Sequence, residues 1–356
     1  MAQLDYKKEL ADLVSLVTKE GASDLHLTSG RHPTIRVSGD LIPIVNKPVL
    51  SPDDVLGLVT EILNADNKQR FLERKDIDFS YSPDDKIRFR GNAYFQRGVV
   101  SAAFRLIPTK IKTIEELNLP PMLADFAKKK QGFFLVVGPV GQGKTTTLAA
   151  LVDLINHERA EHIITIEDPI EYLYVSDKSI IDQREVRFDT LSFASGLQSM
   201  FRQDVNVGLI GEMRNPETMA TAVTAAETGH LIFSTLHTNS AAQTIDRIID
   251  SFPPTQQKQI KIQLAGSLLG IFSQRLLPRV AGGLIPAYEL LINTAAVANL
   301  IREGRTAEID VLIETGSEQG MINFNHSLVD LVRRGEITVE TAYHYSLNPK
   351  GLERMI

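Results

Sequence analysis

Apolar residues fall at helical spacing near the start of the chain, with Leu10, Leu13, Val14 and Val17 on one stripe that Gly21 ends. The spacing predicts a helix over 4–19. The short runs DLHLT (24–28), TIRVSG (34–39) and LIPI (41–44) follow and read as strands. Ser51-Pro52-Asp53 marks another helix start, with Ser51 as cap and Pro52 in the first turn. The stretch 78–108, DFSYSPDDKIRFRGNAYFQRGVVSAAFRLIP, alternates and turns at Ser82-Pro83-Asp84-Asp85, which predicts a hairpin. Residues 1–107 thus read as an α+β unit with a small sheet.

Beyond a connector bracketed by Pro108, Pro120 and Pro121, the pattern changes. GFFLVVG (132–138), HIITIED (162–168), VGLIGE (207–212) and HLIFSTL (230–236) are almost unbroken apolar runs, each followed by helical sequence. A parallel sheet covered on both faces requires strands of this kind. From about 254 onward most of the chain reads helical, including TQQKQIKIQLAGSLLGIFSQRLL and the closing TVETAYHYSL. The expected class is α/β. A first domain spans 1–107, a linker 108–121, and a second domain 122–356 with a largely parallel sheet and a helical C-terminal part.

Composition narrows the function. Of 356 residues, 43% are hydrophobic and 23% charged, the balance of a soluble globular chain. The net charge of −6, with no basic run longer than Lys128-Lys129-Lys130, argues against a nucleic-acid partner. There is no cysteine, which excludes disulfides and thiolate zinc sites. The first residues are charged rather than apolar, and no stretch reaches 18 apolar residues. A signal peptide and a membrane span are therefore not expected, nor is direct membrane insertion, and the expected location is the cytoplasm.

The chemistry begins at Gly138-x-x-x-x-Gly143-Lys144-Thr145, a full P-loop pattern placed between an apolar strand and a helical run. Its glycines let backbone N–H groups curl around a β-phosphate. Lys144 would reach the β/γ oxygens and the Thr145 hydroxyl would ligate Mg²⁺. Glu167 and Glu212 close two later strands, so a parallel sheet brings them to the same crevice. One carboxylate would hold Mg²⁺ directly or through water, and another would orient the attacking water. His230 and His237 flank the strand LIFSTL. Their spacing alone does not separate a γ-phosphate sensor from a satisfied core histidine.

GPVGQGKTTTLAAL (138–151), TIEDPIEY (165–172), QREV (183–186), LIGEMRN (209–215) and AAETGHLIFSTLHTNSAAQTIDRIIDSF (225–252) resemble the consecutive boxes of the secretion ATPases. These are the hexameric motors of type II secretion and type IV pili. Within that family, ASDLHLTSGRHPTIRVSGDLIPI (22–44) and AAVANLIREGR (295–305) are similar to the pilus retraction branch. The absent cysteines and the short amino-terminal region set the chain apart from the secretion and extension branches.

The resemblance implies a PAS-like first domain, a RecA-like second domain, and ATP with Mg²⁺ as ligands. It places the triphosphate on Gly138, Pro139, Val140, Gly141, Gln142, Gly143, Lys144, Thr145 and Thr146. Glu167 becomes the general base and Glu212 joins Thr145 toward magnesium, while His230 and His237 lie near the γ-phosphate. Arg90, Arg97 and Arg105 are the arginines that would complete a nucleotide site, against the plain alternative that they decorate a solvated sheet face. The implied partners are further copies in a hexamer and an inner-membrane platform protein of the pilus.

Three departures stand out. Asn206 and Asn215 replace aspartates usual in the family, and Ala298 replaces an arginine. They motivate an alternative, an accessory or regulatory nucleotide-binding subunit with little turnover. Another secretion-type ring ATPase is the third reading.

Overall fold

A computed structural model describes residues 5–37, 39–84 and 87–356. The chain divides between Thr109 and Lys110 into two compact units.

The first unit runs α1 (Tyr6–Lys19), β1 (Asp24–Thr28), β2 (Thr34–Val37), β3 (Asp40–Pro43), α2 (Pro52–Ile62), α3 (Ala65–Arg74), β4 (Asp76–Asp84), β5 (Ile87–Gln96) and β6 (Val99–Ile107). Asp5 caps α1 by accepting from Lys8 N, and Ser51 with Asp54 forms a capping box on α2. The strands build one antiparallel sheet in the order β3-β2-β1-β6-β5-β4. Leu25 and Leu27 of β1 and Phe104 of β6 turn to one face, where they pack with Leu13, Val17, Leu58 and Phe71 of the helices. The other face carries Asp24, Arg105 and Arg90 side by side on β1, β6 and β5. Of the expected turn at 82–85, Asp85 lies outside the described residues. A second turn at Arg97-Gly98, both with positive φ, joins β5 to β6.

The second unit continues with α4 (Leu123–Ala127), β7 (Gly132–Val137), α5 (Lys144–Glu158), β8 (His162–Glu167), β9 (Ile180–Glu185), α6 (Phe193–Met200), β10 (Val207–Ile210), α7 (Pro216–Glu227), β11 (Leu231–Leu236), α8 (Ala241–Asp250), α9 (Pro254–Ser267), β12 (Leu268–Pro278), β13 (Leu284–Ile292) and α10 (Ala295–Glu303). Short helices α11 (Ile309–Thr315), α12 (Phe324–Arg333), α13 (Val339–Tyr345) and α14 (Pro349–Glu353) close it. The sheet order is β13-β12-β7-β11-β10-β8-β9, parallel throughout except that β13 runs against β12. Within the apolar run of β7, alternation still operates. Phe133, Leu135 and Val137 join a core with α6 to α9, while Phe134 and Val136 join another with α4 and α5.

The α/β class, the parallel sheet and the helical close agree with expectation. The reading of LLGIFSQRLL as helix does not hold. Residues 268–278 form β12 beside β7, and residues 284–292 form β13. Short apolar runs fit either period, and burial between β7 and β13 decides for the strand. Gly270 has the same cause: a Cβ there would sit 2.6 Å from the Leu291 carbonyl oxygen of the neighbouring strand. Strand β9 is an addition, a half-exposed edge whose pattern carries no clean alternation.

Candidate functional site

The phosphate loop leaves the buried end of β7 and enters α5 at Lys144. Gly138, Gly141 and Gly143 all have positive φ, and a Cβ on Gly138 would run into the Gln274 carbonyl oxygen. Glycine is therefore required twice over at 138, by backbone conformation and by space. The loop lines a cleft of about 450 Å³ together with Thr145, Thr146, Glu167, Asp168, Glu212, Thr235 and His237. A second cleft of the same size shares Gly143, Thr146 and Leu276 with it and continues along Lys112, Asn118 and Leu284. Val140, at the loop tip, is 78% exposed.

Lys144 is buried, and its Nζ donates to Gly138 O and Pro139 O, both at 2.8 Å, and to His237 Nδ1 at 3.2 Å. Burial pulls its pKa below the ordinary value, against the pull of Glu212 and Glu171. An ammonium can only donate, so Nδ1 of His237 accepts and its proton sits on Nε2. That nitrogen lies 3.2 Å from Glu212 Oε1, while Arg214 Nη2 donates to Glu212 Oε2 at 2.8 Å. The result is a continuous polar chain, Lys144–His237–Glu212–Arg214, across the mouth of the cleft. Burial and then Lys144 hold His237 below its usual pKa, so the imidazole is neutral. At Glu212 burial works against the charge, but Arg214, His237 and Lys144 together keep the carboxyl below its usual range.

Glu167 is the contrasting acid. It ends β8 at 4% exposure, and burial pushes its pKa up to about 7. Thr165 Oγ1 donates to its Oε1 at 2.6 Å, and Gln183 Nε2 reaches the same oxygen at 3.3 Å. Oε2 keeps one long contact, from Glu171 N at 3.4 Å. Two carboxylates with separated proton affinities on one cleft suit distinct roles, charge holding and proton acceptance.

Among the described residues no group of three or more His, Asp or Glu forms a metal cage. Thr145 and Glu212, both on the cleft, fit a magnesium ion that arrives with phosphate oxygens and keeps few protein ligands.

The remaining expected residues are His230, in the second unit, and three arginines, in the first. His230 precedes the N-terminal end of β11, seven positions before His237. It is therefore roughly 20 Å along the strand from the crevice. Its Nδ1 bonds Ala225 O at 3.0 Å and its ring meets Phe201 edge-on. The expectation of a γ-phosphate neighbour is corrected for His230, because only the C-terminal ends of parallel strands open onto the phosphate loop. Arg90 and Arg105 face each other across β5 and β6, both exposed, and Arg105 Nε donates to Asp24 at 2.9 Å. Among the described residues Arg90 has no ion-pair partner. Arg97 is exposed in the β5–β6 turn.

Gln274 was not expected. It links Thr147 and Gln142 to β12. Nothing in local periodicity signals a contact made from 132 residues away. Gln183 stands inside the QREV box, so that signal was present without its meaning.

Comparison with known proteins agrees with this geometry. The sequence matches the profile of the type II/IV secretion system proteins over residues 5–343. It is 43% identical to the type IV pilus retraction ATPase PilT of Pseudomonas aeruginosa, over 96% of this chain and 99% of that one. It is 40% identical to the type IV pilus ATPase PilU of the same organism, over 98% and 91%. A crystal structure of the pilus retraction motor PilT with bound ADP superposes with a TM-score of 0.89 at 43% identity, covering 97% of this chain and 98% of that one. The chain belongs to the type II/IV secretion system protein family.

Proposed function

We propose that this protein is a motor that hydrolyses MgATP to drive retraction of a type IV pilus. The observation that carries the reading is the convergence of Lys144, Glu167 and Glu212 on one cleft beneath a full phosphate loop. Residues 138–146 hold the triphosphate, with the nucleoside in the continuing cleft along Asn118 and Leu284. Lys144 exchanges the carbonyls of Gly138 and Pro139 for phosphate oxygens at little cost, since both partners are acceptors. Magnesium, when bound through Thr145 and Glu212, neutralises charge developing on the phosphates.

Glu167 Oε2 takes the proton of the attacking water, and Thr165 and Gln183 hold the other oxygen. His237, neutral, keeps Glu212 oriented while Lys144 is engaged with substrate. For Arg90, Arg97 and Arg105 the support is the family resemblance. Among the described residues Arg105 is held by Asp24, whereas Arg90 and Arg97 have no such ion pair to break. A ring of six copies, magnesium dependence, a platform-protein partner and a cytoplasmic location rest on the same resemblance. No described helix is long and apolar enough to cross a membrane.

The test is complementation. In a piliated strain lacking its own retraction ATPase, the wild-type chain restores twitching and Lys144→Ala does not. Restoration by Lys144→Ala, or none by a wild-type chain that hydrolyses ATP, contradicts the reading.

A further inference from the structure

Strand β12 touches both halves of the site, one with each face. Its even-numbered residues turn to the phosphate loop. Gln274 Oε1 accepts from Thr147 Oγ1 at 2.7 Å, and Gln274 Nε2 donates to Gln142 O at 2.6 Å. Leu276 N donates to Gln142 Oε1 at 2.7 Å, so loop and strand are joined in both directions.

The odd-numbered residues turn to the loop that follows His237. Ser273 Oγ donates to Asn239 O at 3.0 Å, and Arg275 Nη2 donates to Asn239 Oδ1 at 3.0 Å. The neighbouring β13 adds a third hold, Glu289 Oε1 accepting from Ala241 N at 2.8 Å. Gln274 and Ser273 are 2% and 1% exposed. A strand buried between two others has its backbone bonds already and would normally carry apolar side chains on both faces. Polar groups this deep are retained where they are bonded, and the bonds of Gln274 and Ser273 end on the phosphate loop, the helix it opens into and the loop after His237.

We infer that β12 is a two-faced support. Gln274 positions the phosphate loop, and Arg275, through Asn239, positions His237. Both act through another group and are positioning residues. Their roles separate by face, although they are adjacent in sequence. Gln274 governs how tightly nucleotide is held, and Arg275 governs how fast it is turned over. The second half rests on the hydrolase reading given above, whereas the first requires only that the loop bind nucleotide.

The experiment uses the full chain, with a fluorescent ADP analogue for affinity and MgATP turnover for kcat and KM. Gln274→Met weakens the analogue roughly tenfold and raises KM more than it lowers kcat. Gln274→Glu keeps the acceptor for Thr147 but cannot donate to Gln142, and gives a smaller loss. Arg275→Met leaves analogue affinity within about twofold and lowers kcat roughly tenfold. Asn239→Ala removes the same contact from an exposed loop position and does the same, and the double variant is no worse than either single one.

The inference is overturned if Gln274→Met and Arg275→Met shift the same parameter, or if the Arg275 and Asn239 effects add. Should either Met variant fail to melt cooperatively, Gln274→Glu and Asn239→Ala decide the matter by the same split. A wild-type chain without turnover sinks the hydrolase reading instead, and the affinity arm still tests Gln274.

Discussion

Glu167 is a carboxyl at 4% exposure whose pKa burial pushes up to about 7, which suits the base role proposed for it near neutral pH. The hydrolysis rate is expected to climb with pH through about 7 and level off above it, since the base must be ionised; a flat profile from 5 to 8 would contradict the role. Folding favours the protonated form, because the pKa rises from 4.5 to about 7. Stability from this group is therefore full below 4.5 and lost as pH rises through 7. The difference amounts to roughly 3 kcal/mol. Glu167→Gln should then melt higher than the wild type at pH 8, lose that advantage near pH 5, and hydrolyse at least about a hundredfold more slowly. Parallel melting curves at both pH values would show that the carboxyl is not protonated by folding. That Lys144, Glu167 and Glu212 line one cleft was legible in the sequence, because each lies in a motif at the end of an apolar strand. For His230 spacing left the role open, and the resemblance that placed it near the γ-phosphate does not say which end of β11 it occupies.

Asn215 caps α7 by accepting from Thr218 N at 2.8 Å, and Asn206 accepts from His162 N at 2.8 Å where β8 begins. Each amide oxygen does what an aspartate would do at that position. Asn206 also lies at the far end of β10 from the phosphate loop. Ala298 is buried in α10 within the core beside α9. None of the three departures removes a group from the cleft, which weakens the reading of a subunit with little turnover. Asn215→Asp is expected to change stability by no more than a few tenths of a kcal/mol and Asn215→Ala to cost about 1 kcal/mol, measured by urea denaturation. A large loss with Asp would mean that its charge is opposed by something beyond the cap. The start of α2 was readable from Ser51 and Pro52, and α1 from its apolar stripe with Gly21 at the end. The hairpin of β12 and β13 was not, although Gly282-Gly283, both at positive φ, supplied a turn signal between two apolar runs. Strand β9 escaped because an edge strand with one buried residue has no period to read.

At the scale of the whole molecule, the described residues hold no metal cage and no helix able to span a bilayer, and the chain carries a net charge of −6. The second unit carries the cleft beside the phosphate loop, and the first carries a sheet face with Arg90 and Arg105. If an arginine from another copy completes each site, Arg90→Ala should lower turnover at least a hundredfold while ADP binding persists, the scale at which a trans guanidinium acts. Turnover unchanged by Arg90→Ala would remove that residue from the mechanism. The most direct measurement is the MgATP hydrolysis rate per chain over a range of protein concentration, with Lys144→Ala as the blank. A rate that rises with concentration, reaches a plateau and vanishes in Lys144→Ala is the predicted result. A wild-type rate equal to that of Lys144→Ala at every concentration, with nucleotide still bound, would contradict the motor.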